Sequence, residues 1–273
     1  MPELPDLEVI AEVLGRVVAG RRIVAAEVLR PLVVRSLPNG QEPCALLTGR
    51  EVRAVTRRGK FLLLELSGGP WLAVNPMLAG RLRRGPHPLR RLTRDYIALT
   101  LSDGTDLVYH DTEGLGKVYV TERLDLVPGY ADLGPEPLAP ENTAEAFLTR
   151  LKGFRGEIKG VLTRGALVAG IGNAYADEIL FDAGVYPFRT VRSLSRAERL
   201  RVYESIRGVL ARAVEELRPL IGEETDALHR GTMRVHMKKG EPCPRCGQAI
   251  SEVAATGRIT NFCRQCQPGT LFG

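Results

Sequence analysis

Apolar residues recur at steps of three and four from Asp6 to Ala19, at Leu7, Ile10, Val13, Leu14, Val17 and Val18. That period lines one face of a helix. The helix is expected to start near Pro5 and to stop at Gly20. Beyond Gly20 the pattern changes to short apolar or alternating runs. They are Arg22 to Leu29, Glu51 to Thr56, Phe61 to Leu66, Trp71 to Asn75, Tyr96 to Leu101, Leu107 to His110 and Val118 to Thr121. Turn residues punctuate them, as in Ser67-Gly68-Gly69-Pro70 and Ser102-Asp103-Gly104. Many short strands joined by tight turns predict an antiparallel sandwich or barrel. The arginine-rich stretch Arg81 to Arg94, with Pro86 and Pro88, reads as an exposed loop.

Four prolines and two glycines fall between Pro128 and Pro140, which marks a proline-stiffened interdomain linker. After it the period is helical. Short helices are expected over Thr143 to Lys152, Gly156 to Leu162 and Asn173 to Phe181, and a long one over Arg196 to Leu217. Ser195 followed by Glu198 is the signature of a capping box at the start of the last. The domains expected are 1–127, a linker over 128–142, then 143–237 and 238–273. The fold class is α+β.

At 273 residues the chain suits two domains, each able to bury a core. No apolar run approaches the length of a membrane span, and the early Glu3 and Asp6 do not resemble a secretory signal. A cytoplasmic protein with access to the chromosome is expected. The net charge of +6 changes the picture through its distribution. Arg50, Arg53, Arg57, Arg58 and Lys60 form one basic cluster, Arg81 to Arg94 a second, and Arg230 to Arg264 a third. Three clusters can be three solvated faces, but phosphate contacts need several converging cations, and nucleic acid is the favoured partner. Aromatic residues make up only 5% of the chain, which favours a duplex groove over a single-strand stacking platform.

Four of the five cysteines sit in Cys243-Pro-Arg-Cys246 and Cys263-Arg-Gln-Cys266, with Cys44 alone. Two such pairs across a hairpin offer four thiolates to one structural zinc, a closed site with no open position. Arg258 lies between the pairs, where a rigid finger can present a guanidinium to phosphate or leave it solvated. Gly170-Ile-Gly172-Asn173 feeds a helix, an arrangement suited to an anion and equally to an ordinary interhelical turn. Lys60 follows Arg57-Arg58-Gly59 as a phosphate ligand or a surface lysine. The chain opens Met1-Pro2-Glu3. Removing Met1 would make Pro2 a secondary amine with a carboxylate beside it. An α-amino group has a pKa near ~8, so part of it is nucleophilic at neutral pH and can form an iminium with a carbonyl-like carbon. A frayed terminus is the plainer reading of these residues alone.

In order along the chain stand Pro2-Glu3-Leu4-Pro5, Arg58-Gly59-Lys60-Phe61-Leu62, Leu133-Gly-Pro-Glu-Pro-Leu138, Gly170-Ile-Gly-Asn173-Ala-Tyr-Ala-Asp-Glu178 and the cysteine hairpin with Gly257-Arg258. This series resembles the formamidopyrimidine-DNA glycosylase/endonuclease VIII family of base-excision repair enzymes, and its start resembles the formamidopyrimidine branch. The resemblance implies an N-terminal β-sandwich, a helix-two-turn-helix domain and a zinc finger. It implies a DNA glycosylase with AP lyase activity, acting by β,δ-elimination as a monomer on damaged duplex DNA, with one structural zinc and no membrane contact. Pro2 would attack C1′ and Glu3 would assist base departure and proton transfer. Lys60, Asn173 and Arg258 would hold phosphates flanking the lesion, Lys60 and Arg258 serving catalysis as well. Cys243, Cys246, Cys263 and Cys266 would bind the zinc.

The family fills the gap left by the flipped base with a methionine, an arginine and a phenylalanine. Here those positions fall on Leu78, Glu113 and Leu115. An apolar wedge of Leu78 and Leu115 can still replace lost stacking. Glu113 has the wrong sign for arginine's work, unless a shift of the loop carries it elsewhere. The segment between Glu223 and Gly240 is short where the family has a loop closing over an oxidised purine. That moves the expectation away from 8-oxoguanine, toward an oxidised pyrimidine or an unusual or single-stranded substrate. A non-enzymatic zinc-finger protein that binds damaged DNA is the alternative.

Overall fold

The N-terminal helix, α1, spans Leu4–Val18 in the computed structural model. The structure describes every residue except 39, 223–224, 226–228, 230, 256–257 and 270–273, and only the backbone of 255 and 258. Pro5 lies in the first turn of α1, where a missing N–H costs nothing. Asp6 and Glu3 form a capping box, with the Asp6 carboxylate accepting from the Glu3 backbone N–H at 2.8 Å. Leu4, Leu7, Leu14 and Val18 are fully buried and face the strands that follow.

Those strands are β1 (Ile23–Val28), β2 (Val34–Leu37), β3 (Val52–Arg58), β4 (Phe61–Leu66), β5 (Trp71–Asn75), β6 (Gly80–Pro86), β7 (Asp95–Leu101), β8 (Thr105–Asp111) and β9 (Lys117–Thr121), with a one-turn helix α2 at Pro43–Leu47. They form a four-stranded sheet in the order β1-β7-β8-β6 and a five-stranded sheet in the order β2-β9-β5-β4-β3. All pairs are antiparallel except β2 with β9, which run parallel. Helix α1 packs on β3 and β4. Sheet and helix together leave the four residues Phe61 to Leu64 buried in succession, which explains a continuous apolar run where an alternation would mark a half-exposed strand.

The arginine-rich stretch expected as a loop begins instead as strand β6. Only Leu82 of its first residues points to the core, at 5% exposed, while Arg81 and Arg83 lie partly buried beside it. An acid at the start of β7 and one in the turn between β7 and β8 meet the charges. Arg83 pairs with Asp95 at 3.3 Å and Arg84 with Asp103 at 2.9 Å. With one apolar position and three arginines the alternation was illegible, and only the residues after Pro86 form the connection to β7. Two other missed elements, β2 and α2, are four and five residues long, too short to show a period.

The chain divides into two compact units, Met1–Asp132 with Leu217–His229, and Leu133–Glu216 with Arg230–Gly273. The crossing from Asp132 to Leu133 lies within the proline-rich stretch. The second unit holds helices α3 (Ala144–Leu151), α4 (Ile158–Thr163), α5 (Asn173–Ala183) and α6 (Arg196–Leu217), then the hairpin β10 (Ser251–Ala255) and β11 (Arg258–Phe262). The capping box of α6 is as read from sequence. Glu198 accepts from the Ser195 N–H at 2.8 Å and Ser195 Oγ from the Glu198 N–H at 3.2 Å. Phe147, Ile158, Leu162, Ile179, Phe181 and Ile206 form a fully buried core. Among the described residues no helix is long and apolar enough to cross a membrane.

The cap on α1 carries a test. Asp6→Ala removes the acceptor of a buried amide and should lower stability by about 1 kcal/mol in a urea titration. An unchanged midpoint would show that the cap does not fix the start of the chain.

Candidate active site and nucleic-acid interface

In the first unit the cap of α1 sets where the chain begins. Pro2 is buried and Glu3 is 2% exposed. Pro2 lines a small, mostly apolar cavity with Leu7 and Ile10 of α1, Leu62 of β4, Val74 of β5 and Tyr109 of β8. Lys60 lies in the tight turn between β3 and β4, after Gly59 at φ +58°, and two residues before Leu62 of that cavity. An ion pair between Arg57 of β3 and Glu8 of α1 ties the turn's base to the helix. Pro2, Glu3 and Lys60 are therefore set around one helix start and one turn.

Two loops converge beside them. Residues 76–79 join β5 to β6, and residues 112–116 join β8 to β9. Asn75 pairs with Lys117 and Gly80 with Asp111, so both loops cross between the sheets at the same edge. Leu78 is 51% exposed and Leu115 is 44% exposed, two apolar side chains held in solvent. Met77, between the cavity residue Pro76 and Leu78, has φ 49°, a left-handed backbone rare in a side chain of this kind. Its N–H is bound by Asn75 Oδ1 at 3.1 Å. The second loop is organised by Asp111, fully buried, which accepts from the N–H of Glu113 at 3.0 Å and of Gly116 at 2.7 Å. Glu113 stays on this loop with an exposed side chain.

In the second unit Asn173 is the first residue of α5, behind the Gly170-Ile-Gly172 turn. Its side-chain amide donates to the Ile259 carbonyl of β11 at 2.8 Å, while its Oδ1 is buried without a hydrogen-bond partner among the described residues. Arg258 opens β11, so the same hairpin carries it. Its side chain lies outside the described residues. A buried charged network, invisible to the spacing rules, fixes helix and hairpin together. Lys159 of α4 lies 2.6 Å from Asp177 of α5 and donates to Ile259 O and Thr260 Oγ1, each at 2.9 Å. The other Asp177 oxygen meets His236 Nδ1 at 2.8 Å and accepts from the Asn261 N–H at 3.1 Å. Glu178 accepts from three successive backbone amides, of Arg234, Val235 and His236. Burial raises its pKa against the pull of those amides. The sequence signal was there. Asp177 and Glu178, side by side and flanked by buried apolar residues, must find partners inside.

The four cysteines of the finger lie together, with all sulfur atoms within 4.8 Å of one another. Cys243 and Cys266 Sγ are 3.8 Å apart and Cys246 and Cys263 Sγ 3.4 Å. Zinc–sulfur bonds of about 2.3 Å require sulfur separations of roughly 3.8 Å in a tetrahedron, so the set fits one structural zinc. The finger is fastened to α5. Cys243, Cys263, Val235 and Ile250 pack against Phe181. Arg245 stacks on that ring at 4.5 Å from its centroid and donates to the Phe181 carbonyl at 2.7 Å.

Three family profiles match the chain in order. They are the formamidopyrimidine-DNA glycosylase N-terminal domain over residues 1–118, its H2TH domain over 133–221, and the zinc finger found in FPG and IleRS over 240–269. The formamidopyrimidine-DNA glycosylase of Symbiobacterium thermophilum is 38% identical over 276 residues, covering 98% of this chain and 90% of that protein. That of Moorella thermoacetica is 38% identical over 262 residues, covering 93% and 94%. The crystal structure of the MutM (Fpg) protein of Thermus thermophilus aligns with a TM-score of 0.85 at 34% identity, covering 97% of this chain and 98% of that one. Lactococcus lactis Fpg bound to DNA containing an AP site aligns at 0.87 with 27% identity, covering 98% and 100%.

Zinc should be found at one atom per chain by elemental analysis. Cys263→Ser should abolish it and open the β10–β11 hairpin to protease, since a hairpin this small lacks a core of its own. Full protease resistance in a zinc-free variant would contradict a structural role.

Proposed function

Because the chain belongs to the formamidopyrimidine-DNA glycosylase family, we propose that its Pro2 amine, freed by removal of Met1, carries out the glycosylase and AP lyase reactions of base-excision repair. The observation that carries this is the start of the chain itself. Pro2 and Glu3 are buried at a helix cap, and Pro2 lines a cavity with Pro76 and Gly80, the two ends of the loop that exposes Leu78. A frayed terminus would hold neither in place.

The chemistry follows from the residues. A base inside a duplex is out of reach, so the nucleotide is everted. Leu78 and Leu115 enter the gap and replace the lost stacking. The Pro2 nitrogen bonds to C1′ as the glycosidic bond breaks and the base leaves with a proton. The sugar ring opens to an iminium, which acidifies the C2′ hydrogen. Glu3 is the carboxylate placed to manage these protons. Loss of the C2′ proton expels the 3′ phosphate, a second elimination expels the 5′ phosphate, and water releases Pro2. Lys60, Asn173 and Arg258 hold the phosphates on either side. Lys60 and Arg258 do so by charge, and Asn173 does so at a helix start whose backbone amides favour an anion.

We assign the chemistry to residues 1–127, duplex engagement to 143–237 and the finger to 238–273, in a monomer working inside the cell on the chromosome. The substrate is an oxidised base. The shortened segment between Glu223 and Gly240 favours a pyrimidine lesion over 8-oxoguanine. Thr225 in that segment donates to the Leu82 carbonyl at 2.7 Å and lines the Pro2 cavity, which holds this part of the segment against β6.

Borohydride with abasic-site DNA should trap a covalent complex with the Met1-free protein, and Pro2→Gly should remove it. A panel of oxidised purines and pyrimidines should show the pyrimidines released faster. An undiminished adduct in Pro2→Gly would overturn the assignment of the nucleophile, and activity confined to 8-oxoguanine would overturn the substrate reading.

A further inference from the structure

Glu113 puts a negative charge on a surface proposed to meet a polyanion. It stands on the loop between β8 and β9 that exposes Leu115, and its own side chain is exposed. Acids elsewhere on these strands and turns are matched, Asp95 by Arg83 at 3.3 Å and Asp103 by Arg84 at 2.9 Å. The Glu113 carboxylate has no hydrogen bond or ion pair among the described residues, although its backbone N–H is bound by Asp111.

Its surroundings make that acid costly to cover. Leu32, in the connection from β1 to β2, is 64% exposed and lies against the same loop. A methyl group built on Gly114 would stand 3.5 Å from a Leu32 methyl carbon and 2.7 Å from the hydroxyl of the buried Tyr96. Glu113 is thus followed by a glycine packed against Leu32, and then by Leu115, which leaves a carboxylate beside two exposed leucines. The loop holds it there. Gly114 has φ +65°, and Asp111 takes the N–H groups of Glu113 and Gly116 on either side. Apolar side chains grouped in solvent mark a surface that a partner covers. Once covered, the carboxylate loses its water and must find donors or stay unpaired at a high cost.

Duplex DNA narrows the choice of donor. Its phosphate and sugar oxygens accept and do not donate, so only the N–H groups of bases can serve a carboxylate. In a base pair the Watson–Crick donors are already used. Eversion of one nucleotide frees those of the base opposite, which borders the gap that Leu115 fills. Guanine offers two adjacent donors on that edge, N1–H and N2–H, spaced for the two oxygens of one carboxylate. Adenine and cytosine each set one amine donor beside a ring-nitrogen acceptor, and thymine sets one donor between two carbonyls. We propose that Glu113 is a specificity-determining residue that reads a guanine opposite the lesion, which makes the substrate an oxidised cytosine in its pair with guanine. The inference rests on the reading of the protein as a base-everting glycosylase and supplies the partner rule which that reading leaves open.

An abasic site placed opposite each of the four bases isolates the partner rule, because no damaged base is present to be recognised. The Met1-free protein should trap under borohydride about tenfold faster opposite guanine than opposite cytosine, the size of effect expected of one bidentate base contact. Release of 5-hydroxycytosine should likewise be about tenfold faster opposite guanine than opposite adenine. Glu113→Gln offers one donor and one acceptor, and should bring the trapping rates opposite guanine and cytosine within about twofold of each other. Glu113→Arg offers two donors and should reverse the order in favour of cytosine. Both variants should melt with the wild type, since the side chain is exposed. Wild-type rates that ignore the partner base in either assay, or a guanine preference intact in Glu113→Gln, would overturn the inference and leave the proposed function standing. A wild type that trapped no abasic site in any duplex would overturn the proposed function, and this inference with it.

Discussion

A single short hydrogen bond sets the start of this chain, from the Glu3 amide to the Asp6 carboxylate at 2.8 Å. An amide at a helix start has no partner in the helix and must find one or remain unpaired. Here the acceptor is itself fully buried, so the bond fixes the backbone of Glu3 and with it the residue before. The rest of the first unit is arranged around that point. Helix α1 lies on β3 and β4, the Lys60 turn is tied to it through Arg57 and Glu8, and Pro76 and Gly80, which flank the exposed Leu78, line the same cavity as Pro2. The role proposed for Pro2 needs such anchoring, because a terminus is otherwise the most mobile part of a domain.

The second unit solves a related problem with charge. A hairpin of two five-residue strands cannot hold an arginine steady by itself. It is bound at one end by the cysteine cluster and along β11 by Lys159, Asn173 and Asp177. Removing one member of such a buried pair leaves the other uncompensated, so the network tolerates little change. The same α5 that begins with Asn173 carries Asp177 and Glu178 one turn later. The proposed phosphate grip and the brace for the finger thus share one helix.

Much of this was legible in the residues. The period of α1, the capping box at Ser195, the strands Phe61–Leu66 and Trp71–Asn75 and the cysteine spacing each reflect a local rule, and each stands as read. What was hidden depended on partners distant in sequence. β6 looked like a loop because its arginines are neutralised by Asp95 and Asp103, which no window of neighbouring residues contains. Lys159 and Asp177 gave no periodic signal, since the partners that allow their burial lie on β11 and at His236, far off in sequence. Of the proposed site residues, those at turns and helix starts are marked in the sequence by glycine and proline, whereas the side chains packed behind them are not.

The central claim is that the reacting atom is the Pro2 nitrogen. Its most direct measurement is the location of the trapped adduct. Abasic DNA reduced onto the protein with borohydride should, after nuclease and tryptic digestion, leave a sugar remnant on the N-terminal peptide that ends at Arg16, with fragmentation placing the added mass on Pro2. A remnant on Lys60 or any other lysine, with the Pro2 peptide unmodified, would contradict the account.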